Sequence, residues 1–243
     1  MLSFYYTERV ALFVKNKNPI MQTLNEVKDS KYVNYINSTI IDNKYIIPGL
    51  NGQEVNLDAS FSNMSGEEYN EDKIVFSEIK PTVSLEDNKE KIIIRGNESK
   101  NSVSIIFENI SELSKYMIQN NYKVNLLINE EKYDLNYELI NSSNSKKIYN
   151  NIESFLTKNK INKQLCFVRN DNISKLCQNK YLFKESLNIN HSNISSELNK
   201  IKSGEIILIK DSLSLAELNI LINQIKYRDL NIIPLSELIT ESN

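Results

Sequence analysis

The pattern of apolar and polar residues changes about 98 residues into the chain. Before that point, short apolar runs are separated by turn signals such as Pro48-Gly49, which is typical of strands and hairpins. Beyond it, continuous apolar runs alternate with segments whose apolar residues recur every three or four positions, which predicts strands alternating with amphipathic helices. We therefore predict two domains, a smaller strand-rich α+β domain over 1–98 and a β/α domain over 99–243.

The strands of the second domain are predicted to be buried on both faces. Ser102–Phe107 and Glu205–Ile209 are nearly continuous apolar runs, and strands of this kind form parallel sheets with helices on both faces. The 145 residues from 99 to 243 are few for a closed barrel of eight units, which takes about 250 residues. We therefore predict a reduced, partly open (β/α) barrel of about six to seven units. The strands expected to lie parallel in it are 103–107, 124–128, 164–168, 205–209 and 231–233.

The composition of the chain argues against nucleic acid and membrane lipid as partners. With 29 basic and 31 acidic residues the net charge is −2, which gives no electrostatic footprint for nucleic acid or anionic lipid. No apolar stretch approaches the roughly 20 residues of a membrane span. The opening segment 1–6 lacks the basic region of a signal peptide. One hypothesis is that this segment is the end of an anchor helix that begins upstream, and we expect contact with a membrane only through such an anchor.

The two cysteines and the single histidine do not form a metal-binding pattern. Cys166 and Cys177 fit no metal-ligand spacing, and the low number of cysteines favours two free buried thiols over the alternative of a disulfide. His191 lies between two polar residues just before a predicted helix, so we expect it in a surface loop.

The end of the chain has a distinctive order of sequence and predicted structure. Residues 203–211 have the sequence SGEIILIKD, followed by a predicted helix over 218–226 and by LNIIPLSEL over 230–238. This resembles the C-terminal βαβ unit of polysaccharide deacetylases of the NodB-homology family, in which Gly-x-Ile-Ile-Leu-x-His-Asp precedes a helix and a strand with a Leu-Ser-Glu-Leu-like turn. The sequence VSIIFEN over 103–109 is similar to the first motif of that family, where the strand ends in Thr-Phe-Asp-Asp. The resemblance covers residues from about 100 to 240.

The resemblance implies a reduced barrel that removes acetyl groups from N-acetylated sugars with a metal-activated water, which is carbon–nitrogen hydrolase chemistry. On the family pattern, Glu108 lies at the position of the catalytic base and Asn109 at that of a metal-binding Asp. Lys210 lies at the position of the general-acid His, and the following Asp211 is kept. Arg169 lies where the family has an Arg that precedes a Pro-Pro-Tyr-Gly loop.

Two further parts of the family pattern are missing from this sequence. Residues 170–172 replace the Pro-Pro-Tyr-Gly loop, and the pair of His ligands would fall within 141–146, which contains no His. A neutral Asn is a weak metal ligand, and an ordinary Lys is protonated at neutral pH and is a poor general acid. The resemblance therefore implies a hydrolase fold that has lost its chemistry, with no catalytic residue, metal or cofactor. The vestigial pocket would contain Glu108, Asn109, Arg169, Lys210 and Asp211.

These residues also have structural interpretations. Asn109 followed by Glu112 is typical of a helix cap. Lys210 and Asp211 fit a solvated strand end, and Arg169 fits an ion-paired surface residue.

Three functions are compatible with the sequence. The first is a catalytically inactive deacetylase-like protein, outside the cell or on its surface, that binds cell-wall glycan or an envelope protein of a bacterium. The second is an active N-acetyl sugar deacetylase with an atypical metal site, which predicts carboxylates that converge near Glu108. The third is a structural or assembly module whose N-terminal half mediates contacts.

Overall fold

The computed structural model describes residues 10, 13–64, 66, 68–130, 134–161, 164–169 and 175–242. Its helices are α1 (Pro19–Val27), α2 (Leu57–Asn63), α3 (Glu112–Gln119), α4 (Lys146–Lys158), α5 (Ile194–Glu197), α6 (Leu215–Tyr227) and α7 (Leu235–Ile239). Its strands are β1 (Thr39–Ile41), β2 (Tyr45–Ile47), β3 (Gly52–Val55), β4 (Phe76–Ile79), β5 (Ile92–Ile93), β6 (Ser102–Phe107), β7 (Asn125–Ile128), β8 (Glu138–Asn141), β9 (Leu165–Phe167), β10 (Tyr181–Phe183), β11 (Leu187–Ile189), β12 (Ile206–Ile209) and β13 (Asn231–Ile232). Short 3-10 turns lie at Lys28–Lys31, Glu71–Lys73, Glu86–Asn88, Glu98–Lys100, Lys175–Cys177 and Leu198–Lys200. A helix both long and apolar enough to cross a membrane does not occur among these residues.

The chain divides into two compact units, each made of two segments. The smaller unit comprises residues 1–36 and 50–82, and the larger comprises 37–49 and 83–243. In the smaller unit, Pro19 takes the first helical position of α1 and the Asn18 side chain accepts a hydrogen bond from within the first turn. Helices α1 and α2 pack with the antiparallel pair β3–β4. The core of this unit contains Ile20, Leu24, Val55 and Met64.

The larger unit contains two mainly parallel sheets. In the first, the order β11-β12-β6-β7-β8 is parallel throughout, and β13 adds a short parallel pairing at the start of β6. In the second, the antiparallel hairpin β1–β2 is followed by β5, β10 and β9, which pair in parallel. Strands β6, β7, β9, β12 and β13 correspond to the five strands predicted from apolar runs, and β12 and β13 both run parallel to β6.

The two sheets enclose one apolar interior. Ile106 of the first sheet and Phe183 of the second belong to the same buried cluster, which Leu235 and Leu238 of α7 also join. Alternate strand residues such as Phe107 belong to a second cluster with helices α3, α4 and α6. Alternation of this kind places successive residues on opposite faces of each strand. The unit is therefore a reduced, partly open (β/α) barrel, as predicted.

Two segments that the sequence places in the N-terminal domain lie in the barrel unit. Residues 37–49 carry the hairpin β1–β2, and residues 83–98 carry β5, whose two residues are fully buried between β2 and β10. The Glu241 carboxylate reinforces this arrangement by accepting hydrogen bonds from Ser38 Oγ and Leu85 N, each at 2.8 Å. The two compact units therefore do not coincide with a division of the chain at residue 98. That residue 98 separates two independently folding parts stays a prediction.

We predict that the larger unit folds without the smaller one but not without β1, β2 and β5. Ser38 N donates to Val83 O and Gly49 N donates to Ser38 Oγ, both at 2.9 Å, so a short glycine linker can join Gly49 to Val83. A fragment over 98–243 loses the buried Ile46 and Ile93. We expect it to be less stable than the linked unit by more than about 5 kcal/mol in urea unfolding followed by circular dichroism. Equal stability of the two would support the boundary at residue 98 instead.

A partly buried carboxyl lies at the start of β8. Glu138 accepts a hydrogen bond from Ser236 N at 3.2 Å, at the beginning of α7. Burial is the largest influence and raises the pKa of the Glu138 carboxyl, and hydrogen bonds from the first residues of α7 offset it only in part. Because the folded-state pKa is the higher one, protonation favours the folded state. Stability from this group is present below the unfolded-state pKa and is lost as pH rises through the folded-state pKa.

We predict that Glu138→Gln removes the loss of stability that deprotonation of Glu138 causes as pH rises. Amide and protonated carboxyl have the same shape, so the variant should equal the wild type at about pH 4 and exceed it in unfolding free energy at about pH 8. Glu26→Gln, at an exposed position of α1, is the matched control and should show no such divergence. A variant that is less stable than the wild type at pH 8 would show that the Glu138 carboxylate is stabilising.

Candidate vestigial active site

The charged residues predicted for the pocket follow three strands that end at the same edge of the barrel. Glu108 comes directly after β6, Lys210 directly after β12, and Arg169 two residues after β9. Barrels of parallel strands build their sites at this carboxyl end. The structure brings these three side chains together.

Glu108 is held by both cations. Lys210 Nζ donates to Glu108 Oε2 at 2.6 Å, and Arg169 Nη1 donates to Glu108 Oε1 at 2.8 Å. The Arg169 guanidinium also lies over the Phe167 ring, 5.1 Å from its centroid. We call Glu108, Arg169 and Lys210 the ion triad. The Glu108 side chain is 22% exposed, so these contacts are partly shielded from water.

The ion triad fixes the protonation state of its carboxyl group. Partial burial alone would raise the pKa of Glu108, but hydrogen bonds from Lys210 and Arg169 outweigh it and hold the pKa below its ordinary value. Glu108 is therefore ionised at neutral pH, with each oxygen bonded to a cation.

Asn109 and Asp211 form a second link between the ends of β6 and β12. Asn109 Nδ2 donates to Asp211 Oδ2 at 3.0 Å, and both side chains are exposed. The helix-cap interpretation of Asn109 is wrong, because Ser111 caps α3 in a reciprocal arrangement with Ser114. Ser111 immediately precedes Glu112, the first residue of α3, and could have been identified from that position in the sequence.

A small cleft adjoins the ion triad. It has a volume of about 120 Å³ and is lined by Glu108, Asn109 and Ile110 together with the end of β7 and the two residues that follow it. This is smaller than the several hundred Å³ of a typical ligand pocket. The cleft can therefore take a small group but not a whole sugar unit.

The positions expected for the pair of histidine ligands have a structural role. Asn141, at the end of β8, is buried, and its Nδ2 donates to Tyr149 O at 3.0 Å and to Glu153 Oε1 at 2.8 Å. These bonds tie the strand to α4. His191 lies in an exposed loop, as predicted, with Nδ1 2.7 Å from Glu217 Oε1.

The donor set does not fit a catalytic metal ion. Both oxygens of Glu108 are bonded to cations, and the side chain at the metal-binding Asp position is an amide whose nitrogen is bonded to Asp211. Within the described ranges, no three residues among His, Cys, Asp and Glu are grouped so that they could hold a metal. An atypical metal site would need further carboxylates close to Glu108. The side chains that lie there are instead those of Lys210 and Arg169.

The preference for free thiols is wrong, because Cys166 and Cys177 form a disulfide with their Cα atoms 5.7 Å apart. Cys166 lies on the outer face of β9, in a small buried cluster with Cys177, Ile92 and Leu182. The low cysteine count could not reveal this proximity, which comes from the return of the chain after β9. The predicted replacement loop 170–172 lies outside the described residues.

The fold of this chain is similar to solved structures, although its sequence matches no known family or curated protein. No protein-family model matches the chain, and neither does any curated protein sequence. The structure is similar to that of BA3943, a CE4 family pseudoenzyme from Bacillus anthracis, with a TM-score of 0.60, 16% identity, and coverage of 93% of this chain and 97% of that one. A BA3943 mutant described as a CE4 family pseudoenzyme with restored enzymatic activity gives a TM-score of 0.61, also at 16% identity, covering 93% of this chain and 100% of that one.

The chain has the CE4 fold. This confirms the resemblance to the polysaccharide deacetylase fold and extends it beyond residues 100–240, since 93% of the chain is covered. At 16% identity the likeness is one of fold, and function has to be argued from the site.

We predict that the ion triad couples the ends of β6 and β12 energetically. In a double-mutant cycle of Glu108→Gln and Lys210→Met, the double variant should lose less unfolding free energy than the two single variants lose together. The difference, which is the coupling energy, should be about 1 kcal/mol. Because the folded-state pKa of Glu108 is lowered, the coupling should be present at neutral pH and lost as pH falls through that pKa. The pair of Lys123 and Glu237, in which both side chains are more than half exposed, is the matched control, and a coupling no larger than its value would contradict the prediction.

Proposed function

We propose that this protein is a catalytically inactive polysaccharide deacetylase-like protein that binds glycan or a protein partner at the bacterial cell envelope. The observation that carries the proposal is the ion triad. A catalytic base must accept a proton from water, and Glu108 has a lowered pKa and a cation on each oxygen. It is therefore a poor base.

The other positions needed for deacetylation support the same proposal. Lys210 lies where the resemblance requires a general acid, but its ammonium is bonded to Glu108. A carboxylate and an ammonium that neutralise each other leave no group suited to protonate a leaving amine. BA3943, whose fold is similar, is itself described as a pseudoenzyme.

The barrel end retains groups suited to binding. The Arg169 side chain is 46% exposed and is backed by the Phe167 ring, so it can donate hydrogen bonds outward without losing its position. Asn109 and Asp211 add an exposed amide and carboxylate. Such a set of donors and acceptors suits the hydroxyl groups of a glycan or the polar rim of a protein partner.

An extracellular or cell-surface location is part of the proposal. The disulfide between Cys166 and Cys177 supports it, because disulfides persist in oxidising compartments. The active alternative is not favoured, since it requires carboxylates near Glu108 where Lys210 and Arg169 lie. No specific observation favours the assembly-module alternative.

We predict that the wild-type protein releases no acetate from N-acetylated chito-oligosaccharides above the buffer rate, with or without added Zn²⁺. We further expect Glu108→Gln to leave that rate unchanged, because there is no activity to lose. Acetate release and metal content by mass spectrometry are the measurements. Metal-dependent acetate release that Glu108→Gln abolishes would overturn the proposal.

Binding is tested in the same samples. Sedimentation with purified cell-wall glycan should retain the wild-type protein, and Arg169→Ala should weaken retention by about threefold. Lys200→Met, which removes an exposed cation elsewhere, is the matched control. Absence of retention would leave a protein partner as the remaining form of the proposal.

A further inference from the structure

The smaller unit contains a cleft of about 630 Å³. This volume is within the range of pockets that bind small molecules, roughly 300–1,000 Å³. Its walls come from the 3-10 turn that follows α1 and the adjoining Tyr32, from β3 and β4, and from Asn56 with the first turn of α2. We call it the small-unit cleft. The lining residues that matter for its chemistry are Lys28, Asp29, Tyr32, Glu54, Asp58 and Ser77.

The small-unit cleft has an excess of negative charge. Asp29, Glu54 and Asp58 supply three carboxylates, and Lys28 supplies one ammonium, which donates to Asn25 Oδ1. Asp58 is paired with Lys15 at 2.7 Å. Within the described parts of the chain, the carboxylates of Asp29 and Glu54 have no hydrogen-bond or ion-pair partner.

An aromatic ring and a hydroxyl group accompany these carboxylates. Tyr32 lines the cleft and is 44% exposed, so its ring is accessible to a ligand. Ser77 Oγ accepts a hydrogen bond from Asn56 Nδ2 at 3.0 Å, and its own proton has no acceptor among the described residues. The cleft therefore combines an aromatic surface, a free donor and two free anionic acceptors.

We propose that the small-unit cleft binds a saccharide that carries free ammonium groups. The Tyr32 ring suits the apolar face of a sugar ring and also attracts a cation placed over it. Glu54 and Asp29 can accept charge-assisted hydrogen bonds from ammonium groups, and Ser77 can donate to a sugar oxygen. The inference adds a second site and a ligand class to the proposed glycan-binding function, but its geometry is independent of the barrel end.

The test is titration calorimetry of the full chain with a glucosamine tetramer at low ionic strength, and with its fully N-acetylated counterpart. We expect binding of the glucosamine tetramer to be at least about tenfold tighter, because acetylation removes every ammonium group. Glu54→Gln should weaken it by about threefold, and Asp29→Asn with Glu54→Gln by about tenfold. Tyr32→Ala should weaken it to a similar extent, and Glu26→Gln, an exposed acid outside the cleft, should leave it unchanged.

Three results would overturn the inference. Equal binding of the two tetramers would show that the carboxylates do not recognise ammonium. Equal binding of spermine, a polyamine without a sugar ring, would show that the cleft does not recognise a saccharide. Unchanged binding by the double carboxylate variant would place the ligand elsewhere. Arg169→Ala in the same assay separates this inference from the proposed function, since it alters the barrel end and leaves the small-unit cleft intact.

Discussion

Burial of each barrel strand on both faces is the constraint on which the rest of the structure depends. In β6, Ile106 belongs to the interior cluster and Phe107 to the cluster with the helices, and both are fully buried. Neighbouring residues of a strand point in opposite directions, so an apolar run is stable only if something covers each side. Helices α3, α4 and α6 cover the outside, and the opposite sheet with α7 fills the inside. Polar chemistry is therefore confined to the strand ends.

At the carboxyl end, the protein neutralises its own carboxylate. Glu108 would be costly to leave ionised and half-buried without a counter-charge. Lys210 and Arg169 supply two positive charges that come from two other strands of the barrel. A divalent cation at Glu108 would have to displace both of them before it could coordinate. The negative charge of Glu108 is thus balanced by side chains of this protein, without a bound metal ion.

The sequence predicts those features that depend on local pattern, and it does not predict pairings between distant side chains. Apolar runs predicted β6, β7, β9 and β12 because a doubly covered strand has a continuous apolar sequence. The two-residue strand β5 has too few residues to show a period, so its place in the barrel came only with the structure. The resemblance placed Glu108 and Lys210 at neighbouring strand ends. Their bond to each other, and the disulfide of Cys166 with Cys177, arise from the folded path of the chain.

A buried hydrogen-bond network at the amino-terminal end of the barrel supports the fold independently of the ion triad. At the amino-terminal end, Asn125 Nδ2 donates to Ser104 Oγ at 2.7 Å, and Asn125 Oδ1 accepts from Leu235 N at 3.0 Å. This buried network joins β6, β7 and α7 without any residue of the ion triad. Buried polar groups that satisfy each other rigidify a core, and losing one partner is expensive. Exposed side chains at the carboxyl end, such as those of Asn109 and Asp211, lie outside this network, so substituting them leaves none of its buried polar groups unpaired.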